Sequence, residues 1–77
     1  MTLKIISAEQ IEFEGIVEAV TLPGVMGQFQ VLKNHAALIA ALKAGKMSYG
    51  ADGNTVVRDI HGGVADVKDN VVSVCLY

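Results

Sequence analysis

Apolar and polar residues alternate along much of this chain in short runs, which is the pattern of half-buried β-strands. The segment from Ile11 to Glu14 shows it most clearly, because apolar and acidic side chains take turns along it. The predicted strands are 3–6, 11–14, 16–22, 46–49, 55–60, 64–67 and 71–76. Many short strands with regular turn signals predict an all-β fold, either a sandwich or a barrel.

Glycine and short polar residues mark the turns between these runs. Gly50 and the pair Asp52 and Gly53 lie between two strands and predict a hairpin loop over residues 50–54. Residues 68–70, with the sequence Lys-Asp-Asn, predict a second hairpin. No linker or repeat interrupts the pattern, so we expect one domain over residues 1–77.

The segment 34–45 is ambiguous. Asn34 is a suitable helix cap, the residues after it are rich in Ala and Leu, and Gly45 would stop a helix. Tertiary pairing can nevertheless override such propensities when a segment joins a sheet. The local sequence alone leaves helix and strand open here.

The segment 22–38 combines turn residues with large apolar side chains. Pro23 and Gly24 predict a tight turn, and Gly27 supplies a second point at which the backbone can bend. A large aromatic side chain follows at Phe29. A solvated loop would not need this mixture, so we expect the segment to press against a partner.

The composition favours a domain that binds a partner. Hydrophobic residues make up 52% of the 77 residues and charged residues only 18%, although so small a domain buries only about 60% of the surface that its unfolded chain exposes. The aromatic residues are two Tyr and two Phe, so we expect a core of Val, Ile, Leu and Ala. Surplus apolar residues should form exposed patches, which often mark partner sites.

Charge and cysteine content argue against several classes of function. The net charge is −2 and the basic residues are dispersed, so neither a nucleic-acid-binding patch nor a polybasic membrane anchor is expected. The lone Cys75 has no partner for an internal disulfide. We find no signal peptide and no run of about 18 apolar residues, so we expect membrane contact only through a partner.

Candidate catalytic and ligand-binding residues are few. His35 and His61 form no helical i, i+4 pair and have no cysteine beside them, so no metal site is expected. Glu12 and Glu14 would share one face of a strand, most simply the solvated face. No phosphate-binding glycine loop is present. We therefore expect neither a catalytic site nor a bound cofactor.

An ordered set of motifs resembles the N-terminal domain of the epsilon subunit of F-type ATP synthases. No single motif is diagnostic, and the specificity lies in their order and spacing. The matching positions cover nearly the whole chain: 7–10, Phe13, Gly15, Leu22, Pro23, Gly24, Gly27, Leu32, His35, Ala36, Leu42, Lys43, Gly45, 62–67 and 70–74.

The resemblance implies a flattened sandwich of two five-stranded sheets, with the segment 34–45 extended. It also implies a non-catalytic rotor subunit of the central stalk. Such a subunit couples the gamma subunit to the membrane ring of c subunits in proton-driven ATP synthesis. The implied location is peripheral, on the cytoplasmic face of the bacterial inner membrane.

The resemblance also assigns candidate contact residues by position. Those that match the loop facing the c-ring are Met26, Gln28 and Phe29. Those that match positions towards gamma are Ser7, His35 and Ala40. Gln28 stands where the family has an acidic residue, so hydrogen bonding is kept while the charge is lost. Residues 33–34 replace a common proline–glycine pair.

Most bacterial and chloroplast members of this family continue into a C-terminal pair of helices that inhibit ATP hydrolysis and, in some members, help to bind ATP. This chain stops at Tyr77, where the β domain should end. We therefore expect no inhibition by extended helices and no ATP binding.

A carrier domain is the alternative hypothesis. Small β-sandwich carrier domains attach biotin or lipoate to a lysine at a hairpin tip. Lys46 is the candidate lysine, but it follows Gly45 directly and lies away from the predicted tip at residues 52–53. Such domains carry a methionine on each side of the lysine, whereas Lys46 has one only after it, at Met47. The rotor hypothesis fits more of the chain.

Overall fold

The computed structural model describes residues 1–77 and contains nine β-strands and no helix. The all-β fold predicted from the alternation of apolar and polar residues is confirmed. The strands are β1 (Thr2–Ile6), β2 (Ile11–Ile16), β3 (Ala19–Gly24), β4 (Gly27–Leu32), β5 (Leu38–Leu42), β6 (Gly45–Ala51), β7 (Asn54–Ile60), β8 (Gly63–Lys68) and β9 (Val71–Leu76).

The strands form one curled sheet with two halves. The first half has five strands in the order β2-β1-β9-β8-β5, and the second half consists of β4, β3, β6 and β7. Strands β1 and β9 are parallel, and their neighbours are antiparallel. The halves join where Gly24 of β3 pairs with Leu42 of β5. The expected sandwich is confirmed with four strands instead of five in the second half, because β5 reaches that half through this single pair.

The core lies between the two halves and is almost wholly aliphatic. On β1, for example, Leu3 and Ile5 are fully buried while Lys4 between them is not. The predicted core of Val, Ile, Leu and Ala is confirmed, with one methionine added. The buried side chains of the cluster are Leu3, Ile5, Val17, Val20, Leu22, Val31, Leu42, Met47, Ile60, Ala65, Val67, Val72 and Val74.

Both predicted hairpin turns are present and share one backbone conformation. Asp52 and Gly53 have φ angles of 54° and 78°, and Asp69 and Asn70 have φ angles of 53° and 62°. Two successive positive φ angles define the type I′ turn, whose twist matches that of the flanking strands. Asp, Asn and Gly tolerate this conformation better than other residues, so the local sequence determines both turns.

The segment 34–45 is extended, and the helical alternative is wrong. Asn34 has a φ of 62° and belongs to a turn in which the N–H of His35 donates to the carbonyl of Leu32 at 3.1 Å. Leu38–Leu42 then pairs along its whole length with β8. The hydrogen bonds of this ladder replace those of a helix, so tertiary pairing overrides the Ala-rich local preference.

The segment 22–38 begins as a hairpin rather than as a loop. Gly24 pairs with Gly27, so Val25 and Met26 form the turn, two residues after the turn predicted at Pro23 and Gly24. Gly27 has a φ of 126°, a conformation that residues with a Cβ rarely adopt. The β4 strand after it is missing from the predicted set because its alternation is short.

Gly63 should be the glycine least tolerant of substitution. A Cβ at Gly63 would overlap the carbonyl oxygen of Cys75 on the paired strand. We expect Gly63→Ala to lower the free energy of unfolding by about 3 kcal/mol in urea denaturation, since overpacking of this kind forces the backbone to move. Gly53→Asn is the control, because nothing lies within 4 Å of its Cβ position and Asn tolerates the turn. Equal stability of the two variants would contradict this account of β8 and β9.

Candidate interaction surfaces

A row of apolar side chains crosses the outer face of the first half. Residues that pair across neighbouring strands share a face, and the members of this row alternate with the buried residues of the core. Ile11, at one end of the row, is 59% exposed. We call this set the apolar row; it consists of Ala41, Val64, Cys75, Ile6 and Ile11.

A polar row runs beside the apolar row on the same face. It holds one basic and two acidic side chains, so the outer face is apolar towards one end of the strands and charged in the middle. The members of this second row are Ile39, Asp66, Ser73, Lys4 and Glu14. This face would therefore complement a surface that is apolar opposite the first row and polar opposite the second.

The turn between β3 and β4 is a second exposed feature. Met26 is 97% exposed, and Val25 and Gln28 are also exposed. Phe29, the third residue assigned to the ring-facing loop, is half-buried and packs against the core. Its ring lies beside Gly24, 3.0 Å from the place where a Cβ would be. Phe29 therefore packs against the base of the β3–β4 turn and does not project with it. Met26 and Gln28 are the residues free to meet a partner.

The three residues assigned to the gamma contact lie in separate parts of the structure. Ser7 is in the connection from β1 to β2, and His35 is in the connection from β4 to β5. Strands β9 and β8 lie between β1 and β5, so at about 4.8 Å per strand these two strands are roughly 14 Å apart. Ala40 pairs with the fully buried Ala65 and faces the core.

The outward neighbours of Ala40 were missed by position matching. Ile39 and Ala41 on the same strand are exposed, and both belong to the rows described above. The period-2 alternation of a strand would have identified them, but only after the segment was known to be a strand. Their assembly with residues of β1, β2 and β9 requires the strand order, which the sequence alone does not give.

An ion pair links the two edge strands on the open side of the sandwich. The register of β2 skips Glu12, which makes it the extra residue of a β-bulge. Its carboxylate accepts a hydrogen bond of 2.6 Å from the Arg58 guanidinium on β7. Glu14 instead pairs with Lys4. The expectation that both glutamates lie equivalently on one solvated face is therefore wrong, because the bulge changes the register.

The Arg58 contact changes the acidity of Glu12. The hydrogen bond from Arg58 lowers the pKa of Glu12 below its ordinary value of 4.5, and the Ser7 hydroxyl adds to this effect. Close by, the rings of Phe13 and Tyr49 lie 4.7 Å apart between their centroids. A charged contact and an aromatic contact thus hold β2 against β6 and β7.

The candidate carrier lysine is not at a hairpin tip. Lys46 is the second residue of β6, and its Nζ lies 2.9 Å from the Asp59 carboxylate on β7. The tip of this hairpin is formed by Asp52 and Gly53 instead. This placement does not match the arrangement of a biotinyl or lipoyl domain.

No three His, Cys, Asp or Glu side chains come together as a metal site would require. The chain also has no helix of the length and hydropathy that a bilayer span requires. The notable surfaces are therefore the outer face of the first half and the β3–β4 turn.

The fold and these surfaces define a small β-sandwich binding module with an apolar outer face and a projecting turn. Residues 1–76 match the family described as ATP synthase, Delta/Epsilon chain, beta-sandwich domain. The chain belongs to this family.

Several curated relatives carry the name ATP synthase epsilon chain. One from Chlorobaculum tepidum is 41% identical over 70 residues, which cover 90% of this chain and 80% of the relative. Another, from Rhodopseudomonas palustris strain BisB18, is 37% identical over 70 residues, which cover 91% of this chain and 52% of the relative. The chain thus spans only about half the length of the second protein.

Two solved structures share the fold. A chain of the Euglena gracilis mitochondrial ATP synthase, in an OSCP/F1/c-ring assembly, superposes with a TM-score of 0.90 at 25% identity, covering 96% of this chain and 48% of its own. A chain of the Tetrahymena thermophila mitochondrial ATP synthase central stalk and c-ring gives 0.84 at 12% identity, covering 99% of this chain and 62% of its own. The second match is evidence for the fold alone.

The stability of the domain should depend on pH through Glu12. Because the folded-state pKa of Glu12 is lowered, its contribution is fully present above the ordinary value of 4.5 and is lost as the pH falls through the folded-state pKa. We expect Arg58→Gln to reduce this acid-dependent loss of unfolding free energy, measured by urea denaturation across a pH series.

Lys46→Gln is the matched control for this experiment. It removes one positive charge, as Arg58→Gln does, but the Lys46–Asp59 pair is 71% and 79% exposed and is screened by solvent. The control should keep the pH dependence of the original chain. Identical pH profiles for all three proteins would show that the Arg58 contact does not lower the pKa of Glu12 in solution.

Proposed function

We propose that this chain is a non-catalytic rotor subunit of a proton-translocating ATP synthase, and that it couples the gamma subunit to the c-ring. The observation that carries the proposal is the apolar row on the outer face of the first half. It runs across five strands, with Ala41, Cys75 and Ile11 exposed and with Ile6 and Val64 partly exposed. Membership of the delta/epsilon family supports a place in the synthase.

The outer face of the first half is the proposed gamma-binding surface. Its apolar row supplies surface whose removal from water lowers the free energy of the complex. Asp66 and Lys4 in the polar row fix the orientation of the bound partner through charged contacts. Ser7 directly follows Ile6 of the apolar row, so it lies at the margin of this surface. The proposed contact therefore includes Ser7 and replaces the inward-facing Ala40 by its outward neighbours on β5.

The β3–β4 turn is the proposed c-ring contact. Met26 offers an apolar side chain and Gln28 an uncharged hydrogen-bonding group. No charged residue lies between Ala19 and Leu32. The proposed ring surface that meets this turn is therefore a polar loop that needs no charged partner here. Phe29 acts in this proposal as a support for the turn rather than as a contact.

A short path joins the two proposed contacts. The N–H of Val25, in the turn, donates to the carbonyl of Ala41, in the apolar row, at 2.9 Å. Torque applied at the turn would reach the gamma-binding face through this bond and the strand ladders. Coupling of this kind needs stiffness and no chemical step, which suits a β-sandwich without a catalytic cluster.

The remaining parts of the proposal follow from this role. As part of a bacterial rotor, the chain would lie at the cytoplasmic face of the inner membrane, held there by the complex. It would need no cofactor of its own. Calorimetry with ATP should give no specific binding isotherm for the chain.

Substitution in the apolar row should weaken binding to gamma. Ile11→Lys places an unpaired charge in the proposed interface, and we expect the affinity for purified gamma subunit, measured by titration calorimetry, to fall at least about tenfold. Val57→Lys is the matched control, because Val57 is 57% exposed on the other edge strand and faces outward from the second half. Equal effects of the two changes, or none from Ile11→Lys, would refute this gamma-binding surface.

A cysteine at the turn should crosslink to the c-ring. The exposed Cys75 is first changed to Ser, and Gln28→Cys is then assembled with a ring carrying cysteines in its polar loop. Asp52→Cys is the control: β3 runs from the Gly50 pairing to the Val25–Met26 turn, so the two hairpin tips lie at opposite ends. We expect a disulfide product from Gln28→Cys only, detected by non-reducing electrophoresis.

The coupling role of the turn can be measured in the same assembled complex. Met26→Asp should uncouple proton flow from ATP synthesis in membrane vesicles. The unfolding free energy of the chain should stay within about 0.5 kcal/mol, because the side chain is exposed. Intact coupling in a folded variant would place the ring contact elsewhere.

A further inference from the structure

Strand β4 is a free edge of the second half. It pairs with β3 without interruption over Gly27–Leu32, and no other strand pairs with it. On the side of β3 that faces away from β4, two hydrogen bonds of 2.9 Å join it to β5 and the residue after it. The carbonyl of Pro23 accepts from the N–H of Lys43, and the N–H of Val25 donates to the carbonyl of Ala41. Backbone groups of successive strand residues point to alternate sides, so Leu22 and Gly24 direct theirs towards β4.

The orientation of the β4 backbone follows from this pattern. Phe29 lies opposite Leu22, so its N–H and carbonyl point into the sheet. The N–H and carbonyl groups of Gln28 and Gln30 therefore point away from the sheet. Neither residue makes a hydrogen bond outside the strand ladder. The edge presents a row of free donors and acceptors with the spacing that another strand requires.

This edge lacks the features that normally prevent pairing between molecules. Edge strands are usually protected by charges, prolines or bulges. Strand β2 has Glu14 and the bulge at Glu12, and β7 has Arg58 and Asp59. Strand β4 has no charged residue, no proline and no break in register. Of these three edges, β4 alone is open to a second strand.

The sequence of β4 fits a second copy of itself. Residues 28–30 read Gln-Phe-Gln and are symmetric about Phe29. We propose that the free chain forms a two-fold symmetric dimer in which the β4 strands of two copies pair antiparallel, with Phe29 opposite Phe29. Gln28 then pairs with Gln30 of the second copy, and each such pair exchanges both backbone hydrogen bonds.

The proposed register avoids electrostatic repulsion between the copies. Leu32 of one copy lies opposite Met26 of the other, so Lys33 meets the uncharged Val25. The two second halves then form one continuous sheet, and the symmetry is that of an isologous contact. The dimer would cover Gln28, so it would exclude the proposed ring contact, but its formation is independent of that function.

Sedimentation of the complete chain over a concentration series tests the dimer. The weight-average mass should rise from 8.1 kDa towards twice this value and stop there. Gln28→Lys combined with Gln30→Lys sets two lysines opposite each other in both pairs, and this variant should stay monomeric. Thr55→Lys combined with Val57→Lys adds the same charge to the β7 edge and should dimerise like the original chain.

Amide exchange identifies the surface that pairs. In NMR spectra of the original chain, the amides of Gln28 and Gln30 should exchange more slowly as the concentration rises, while that of the turn residue Gly53 should not change. A monomer at every concentration would overturn the proposal. So would a dimer that survives the β4 lysines, growth beyond the dimer, or protection confined to another strand.

Discussion

The structure depends on one backbone seam, where the end of β3 meets the end of β5. At this seam Gly24 pairs with Leu42, and two further backbone hydrogen bonds of 2.9 Å flank the pair. A Cβ at Gly24 would lie 2.7 Å from the carbonyl oxygen of Gly27. Glycine is therefore required at this position by the tight β3–β4 hairpin, which turns beside the seam.

The opposite side of the sandwich is closed by side chains instead of backbone. The Glu12–Arg58 pair and the contact between Phe13 and Tyr49 hold the edges together there. The charged contact responds to pH, whereas the backbone bonds of the seam involve no titratable side chain. The buried aliphatic core lies between the two sides and contains no polar side chain.

The seam also gives the proposed function its mechanical basis. It joins the Val25–Met26 turn directly to Ala41 of the apolar row, so the two surfaces assigned to the c-ring and to gamma share one rigid connection. The side chains at the two proposed surfaces take no part in this connection, because backbone groups make it.

The sequence by itself determined what depends on neighbouring residues: the alternation of the strands, the type I′ turns at Asp52 and Asp69, and the aliphatic composition of the core. It also carried the family resemblance. For residues 38–42 the local sequence left helix and strand open, and pairing with β8 decided for the extended form that the resemblance implies. Likewise, the bulge at Glu12 and the apolar row arise from register and strand order, which join residues far apart in the chain and leave no local signal.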